Sequence, residues 1–294
     1  MPEWFAVLLL GIIEGITEFL PISSTGHLLI AEQWLPSQTD LFNVVIQSGA
    51  VLAVIPLFKE RFHQFIFRWR ERTTQDYLLK IIVAFAITGV GGVILEAGDF
   101  KLTDQIIPVA IALVAGGAAF LLIEHRLKGK TLLSEITWPV VFAVGFGQLL
   151  AAVFPGTSRS GTTILMALLL GLNRVAATEY TFLVGIPTML AAGGLKIFKA
   201  FYHAHGAPTE DWSMVALGFI SSGVVSFLAV KWLLRYVQTH TFNAFGWYRI
   251  AFGLVLVVLA LCGPEPVHAT KPSSHAPPPQ ADVPASSSDS RAGE

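Results

Sequence analysis

The chain has 294 residues, 53% of them hydrophobic and 13% charged, with 19 Lys and Arg against 20 Asp and Glu and a mean hydropathy of +0.64. A soluble globular domain carries roughly 25% charged residues, so the composition excludes one and specifies a polytopic membrane protein. The formal net charge of −1 leaves no basic face for nucleic acid, and a single cysteine, Cys262, excludes an internal disulfide or a CxxC metal or redox site.

The N-terminus reads as mature protein. Its only early charge is Glu3, and the apolar run 5–13 flows into Glu14 without a small-residue cleavage site. Residues 4–20 have a helical apolar period stopped by Pro21. A second short helix, about 24–35, is predicted to start at the Ser23-Ser24-Thr25 cluster, which supplies N-cap residues. The pair reads as a helix–turn–helix that dips into the bilayer and returns. Six runs follow that can cross a membrane, at about 42–58, 81–96, 106–123, 179–196, 213–230 and 247–262. Between the third and fourth lies another short pair, about 138–154 and 160–171, broken by Pro155-Gly156-Thr157-Ser158-Arg159-Ser160-Gly161. The Pro-, Ser- and Ala-rich tail 263–294 has no apolar period and is expected to be disordered.

Loop charge orients these spans. Loop 59–80 holds Lys59, Arg61, Arg68, Arg70, Arg72 and Lys80; loop 124–137 holds Arg126, Lys128 and Lys130; loop 231–246 holds Lys231 and Arg235, with Arg249 just beyond. The opposite loops, 97–105 and 197–212, balance Lys101 and Lys199 with acids. Alternation puts the basic loops in the cytoplasm, the N-terminus and first dip outside, and the second dip on the cytoplasmic side. The two dips therefore enter from opposite faces, as inverted-topology repeats do. Aligned directly, Pro21 falls on Pro155, Ser24 on Ser158 and Gln148 opposite Glu14. The expected architecture is an all-α membrane domain, 1–262, of six transmembrane helices plus two re-entrant pairs, with repeat one about 1–123 and repeat two about 138–262. The small-residue clusters at 89–92 and 116–119 allow close helix approach, either within the chain or in a homodimer.

The chemistry concentrates in the dips. Glu14 and Glu18 share a helix face, and ionisable groups in apolar surroundings are functional candidates by default. After them come Ser23, Ser24, Thr25 and His27; the second dip offers Thr157, Ser158, Arg159 and Ser160. A guanidinium suits bidentate recognition of phosphate or carboxylate, and hydroxyl-rich turns that open helices aim N–H groups at an anion. Two glutamates beside an anion would repel it unless a divalent cation, Mg²⁺ or Ca²⁺, or a proton intervened. Ser24 and His27 are the candidate nucleophiles or acid/base groups, and Glu14 and Glu18 the metal ligands or orienting carboxylates.

With these residues in place the sequence resembles the undecaprenyl-diphosphate phosphatase family, membrane phosphatases also known for bacitracin resistance. Its first motif stands here as Glu14 through His27, with Glu-x-x-x-Glu and then Phe-Leu-Pro-x-Ser-Ser-Thr-Gly-His; its second stands complete as Pro155 through Gly161. The resemblance covers about residues 1–262. It implies hydrolysis of a C55 isoprenyl diphosphate lipid to the monophosphate in the bacterial inner membrane, with the site open toward the periplasm. It also implies that Glu14 and Glu18 carry divalent-metal dependence, that His27 and Ser24 are the reactive groups, and that Arg159 and Ser158 hold the diphosphate. Two other classes share part of this pattern. The acid-phosphatase-like lipid phosphatases need a histidine where Leu165 stands, and a lipid or ion transporter could use the same inverted repeat.

Overall fold

The computed structural model describes residues 2–36, 38–98, 105–202 and 211–262. The tail, and much of the loops around 99–104 and 203–210, lie outside the described residues. Among those described the secondary structure is helical, without a strand element. In chain order the helices are α1 (Glu3–Thr17), α2 (Ser24–Ala31), α3 (Asp40–Val54), α4 (Lys59–Phe67), α5 (Arg72–Ala97), α6 (Ile106–Leu127), α7 (Trp138–Val153), α8 (Arg159–Leu169), α9 (Arg174–Tyr202), α10 (Trp212–Thr239) and α11 (Asn243–Cys262). Among the described residues, six stretches are long and apolar enough to cross a membrane: Leu41–Phe67, Arg72–Ala97, Ile106–Leu127, Arg174–Lys199, Trp212–Thr239 and Asn243–Cys262.

The helices outrun the apolar runs that announce them. Residues 59–67, expected as loop, form α4, joined to α3 by a 3-10 turn at Ile55–Phe58 that contains Pro56. Helix α10 runs to Thr239, because Leu233 and Val237 continue its buried stripe past Lys231 and Arg235. Charges on the opposite face do not stop a helix.

Packing pairs the halves of the chain. Helix α1 packs on α10, and α7 on α5; α3 contacts α10 and α9, α5 contacts α9, and α6 lies along α11. Small residues make the closest approaches. A Cβ on Gly15 would stand 2.5 Å from the Ser222 carbonyl, and one on Gly117 2.6 Å from the Gly246 carbonyl. The cluster at 116–117 thus serves packing within the chain, whereas Gly89 and Gly92 have nothing within 4 Å of an added Cβ. The turn after α1 is locked in the core: Phe19, Leu20 and Ile22 are buried with Ile164 and Leu168 of α8 and Phe182 and Ile186 of α9. Phe19 meets Phe182 edge to face at 5.0 Å.

The outer surface is that of a protein in lipid. Ile82, Val93, Ile111, Ile220, Leu254 and Val258 are exposed on the spans. All seven tryptophans are exposed as well, most of them near helix ends, as an interfacial aromatic belt requires. Two ion pairs tie helix ends together. Arg174 forks onto Glu124, which is buried and also accepts the Phe242 N–H, and Arg61 bonds Glu179. Substituting alanine for Gly117 is expected to lower stability by about 1–3 kcal/mol through overpacking, whereas Gly89→Ala should leave it unchanged. Thermal unfolding of both variants in detergent checks the contrast.

Candidate functional site

Among the described residues, two other than glycine have a positive φ, Ser23 (φ 73°) and Ser158 (φ 66°). Each is the N-cap of a short helix and accepts a hydrogen bond from the amide three residues on, Gly26 for Ser23 and Gly161 for Ser158. Left-handed backbone in an ordinary residue is costly and persists where surroundings enforce it. The two turns therefore match as Ser23-Ser24-Thr25-Gly26 against Ser158-Arg159-Ser160-Gly161. This corrects by one residue the alignment of Ser24 with Ser158. The register shifts because the second turn holds an extra residue between proline and cap, Gly156 at φ 90°. Ser24 and Arg159 are thus counterparts, each the first residue of its helix.

Both reach the same carboxylate. Ser24 Oγ donates to Glu18 Oε2 at 2.9 Å, and Arg159 Nη2 to Glu18 Oε1 at 3.3 Å, with Gln47 Nε2 3.4 Å from Oε2. Glu18 sits just past the end of α1, where its amide makes the last helical bond to Glu14. Its side chain is 6% exposed and that of Arg159 16%, so the ion pair is largely dry. Removing one partner of such a pair costs roughly 3–5 kcal/mol.

Two atoms beside this pair have no partner, and they are opposite in character. Arg159 Nη1, a donor, and Glu14 Oε2, an acceptor, are both buried and unbonded. Buried polar groups are nearly always satisfied, so such orphans call for a ligand. The guanidinium is held with Nη2 2.7 Å from Met189 Sδ and Cζ 5.8 Å from the Phe19 ring centroid, over Gly185, where any Cβ would collide with Nη1 at 2.0 Å. An incoming anion can meet Nη1, and a cation or proton can meet Glu14 Oε2. Two carboxylates with no third acidic, His or Cys ligand nearby among the described residues fit Mg²⁺ or Ca²⁺, which complete their shells with water and phosphate oxygens.

The other predicted site residues divide. Ser160 is buried and donates to the carbonyls of Leu20 (3.1 Å) and Glu18 (3.4 Å), so it ties one turn to the other. Ser23 and Ser158 spend their hydroxyls on capping. Thr157 Oγ1 donates to Phe154 O at 2.7 Å, and Thr25 is half-buried beside Ser24. His27 faces elsewhere. Its Nδ1 lies 2.7 Å from the Ser23 carbonyl, which only accepts, so Nδ1 carries a proton. Its Nε2 lies 2.6 Å from Tyr248 Oη, and its ring stacks on Phe252 at 4.2 Å. His27 is one of the residues that line an apolar groove of about 340 Å³, with Leu9, Ile13, Ile30, Trp34, Leu35 and Phe252.

Sequence reasoning missed Gln47, Met189, Tyr248 and Arg249. Each is a single residue in a hydrophobic span with no local motif. Arg249, counted with the loop charges, is fully buried on α11. The signal available was an arginine seven residues into an apolar run.

The family model described as "Bacitracin resistance protein BacA" matches residues 7–255. A protein of Rhizobium etli (strain CIAT 652) is 49% identical over 262 residues, covering 89% of this chain and 98% of its own, and is named undecaprenyl-diphosphatase. One from Xanthomonas oryzae pv. oryzae (strain PXO99A), with the same name, is 47% identical over 259 residues, covering 88% and 97%. The Ser160 tie generates a prediction: Ser160→Ala should lower thermal stability by about 1 kcal/mol, since the buried bond from its hydroxyl to the Leu20 and Glu18 carbonyls is lost. An unfolding midpoint equal to wild type would show that the turns hold together without it.

Proposed function

We infer that this chain, which belongs to the bacitracin resistance protein BacA family, is an undecaprenyl-diphosphatase that releases phosphate from undecaprenyl diphosphate and leaves the monophosphate. The observation that carries the chemistry is the Glu18 carboxylate bonded at once by Ser24 and Arg159. We propose that Ser24 Oγ attacks the terminal phosphorus while Glu18 takes its proton, as a base activates a weak hydroxyl nucleophile. Glu18 passes that proton to the bridging oxygen as its bond to phosphorus breaks and the lipid monophosphate leaves. Water then attacks the phosphoserine, Glu18 takes its proton and returns it to Ser24 Oγ, and inorganic phosphate departs. Arg159 offers Nη1 to the phosphoryl oxygens and neutralises charge that develops there. This assigns the nucleophile to Ser24 over His27, whose two ring nitrogens are engaged by Ser23 and Tyr248.

A divalent cation on Glu14, with Glu18 beside it, would neutralise the diphosphate charge that two carboxylates repel. The lipid tail is proposed to lie in the apolar groove that His27 helps to line, with the bilayer beyond. Helices α1 and α7, of 15 and 16 residues, extend about 22–24 Å at 1.5 Å per residue, short of a hydrocarbon core of about 30 Å. That length supports re-entrant pairs α1–α2 and α7–α8. The reciprocal packing of α1 on α10 and α7 on α5, with the twin Ser23 and Ser158 caps, supports an inverted repeat of 1–123 and 138–262. The basic loops support a site that opens toward the periplasm, and the plasma (inner) membrane of a bacterium is the proposed location.

Phosphate release from the lipid diphosphate by detergent-purified protein tests the reading. Glu18→Gln and Ser24→Ala are expected to lower kcat by about 100-fold or more, and Arg159→Lys by a similar factor, because an ammonium cannot replace the planar fork. Wild-type turnover in any of them would overturn its assigned role. Glu14→Gln should weaken the response to added Mg²⁺ or Ca²⁺; an unchanged metal titration would remove Glu14 from cation binding.

A further inference from the structure

Arg249 is the largest fully buried side chain in the described residues, and no carboxylate among them pairs with it. Its partners are all backbone carbonyls. Nη2 donates to Thr157 (2.9 Å), Gly156 (3.2 Å) and Ala112 (3.4 Å), Nη1 to Pro21 (3.3 Å), and Nε to Leu113 (3.4 Å). Pro21 stands two residues before the Ser23 cap, and Gly156 and Thr157 stand directly before the Ser158 cap. One guanidinium therefore holds the entry to both helices whose first residues, Ser24 and Arg159, meet at Glu18.

The surroundings are cut to this group. A Cβ on Gly116 would stand 2.3 Å from Nη2, and one on Gly161 2.8 Å from Nη1. Burying an arginine without a counter-ion is costly, and carbonyls only partly repay it, so stability alone is a poor reason for its presence. A planar fork of five donors is, however, what bridges carbonyls from three separate segments.

We propose that Arg249 is a positioning residue that sets the spacing between the Ser24 and Arg159 turns, and with it the geometry of phosphoryl transfer, without touching substrate. The role rests on the Ser24–Glu18–Arg159 reading of the site. It predicts loss in kcat rather than in KM, because misplacing a nucleophile by about 1 Å costs about 100-fold in rate while the groove still binds the tail.

The test uses the full chain with Cys262→Ser and cysteines introduced at Thr25 and Thr157, one on each turn. Thiol crosslinkers of graded length report turn spacing, and phosphate release is measured on the same substitutions at Arg249 and Gly116 without the added cysteines. Arg249→Lys keeps the charge and is expected to lower kcat about 100-fold, leave KM within about threefold, and broaden the range of crosslinkers that react. Gly116→Ala displaces the guanidinium without removing it, so it gives a second readout if the lysine variant fails to fold; kcat should fall about tenfold at unchanged KM. Folded variants with wild-type kcat, or a raised KM at unchanged crosslinking, would overturn the proposal. Ser24→Ala and Arg159→Lys run in parallel. If they turn over normally while Arg249→Lys still alters the crosslinking, the site reading fails and the spacing role stands.

Discussion

The arrangement depends on one carboxylate. Glu18 receives a hydroxyl from one short helix and a guanidinium from another, and those helices begin about 135 residues apart in the chain. The two turns complement each other: the first has hydroxyls and carboxylates but no Lys or Arg, and the second has a guanidinium but no carboxylate. A largely dry setting makes their meeting effective, since charge interactions strengthen as water is excluded. It also makes the meeting costly, which is why so much of the surrounding structure is devoted to holding it.

That support is layered. Ser160 fixes one turn to the carbonyls of the other, Arg249 grips both from behind, and Phe19, Leu20 and Ile22 anchor the first turn among α8 and α9. The strained serine caps aim the helix starts, and the strain persists because packing over-determines it. Against this rigid frame stand two unsatisfied atoms of opposite character, Arg159 Nη1 and Glu14 Oε2. A site built to hold an anion next to a cation or proton would leave that pair vacant of protein partners. The same economy explains His27, which has its hydrogen bonds filled and its ring stacked in the lining of the apolar groove.

Most of the fold and the two halves of the site were legible because their signals are local. Apolar runs mark the spans, and charged or hydroxyl residues stand out within them, as Glu14 and Arg159 did. Helix ends were less legible: α4 rests half-buried Phe62 and Phe65 on the core, the last part of α10 carries charges on one face and buried residues on the other, and a hydropathy run stops where an amphipathic helix does not. Aligning the prolines sets the register between the turns off by one residue, because the structure repeats its caps and not its prolines. Arg249 was hidden for a different reason. Its role lies in carbonyls of distant segments, and a carbonyl has no sequence signature. Gln47 and Met189 belong to the same class, ordinary span residues given meaning by what packs against them.

The most direct measurement is to trap the phosphoenzyme. Purified protein is mixed with isoprenyl diphosphate labelled in its terminal phosphate, quenched within a turnover, and the labelled peptide is mapped. The account predicts label on Ser24, stable in acid and lost in alkali as a serine phosphate is. Label on His27, lost in acid, or steady turnover with no protein-bound phosphate at any quench time, would contradict it.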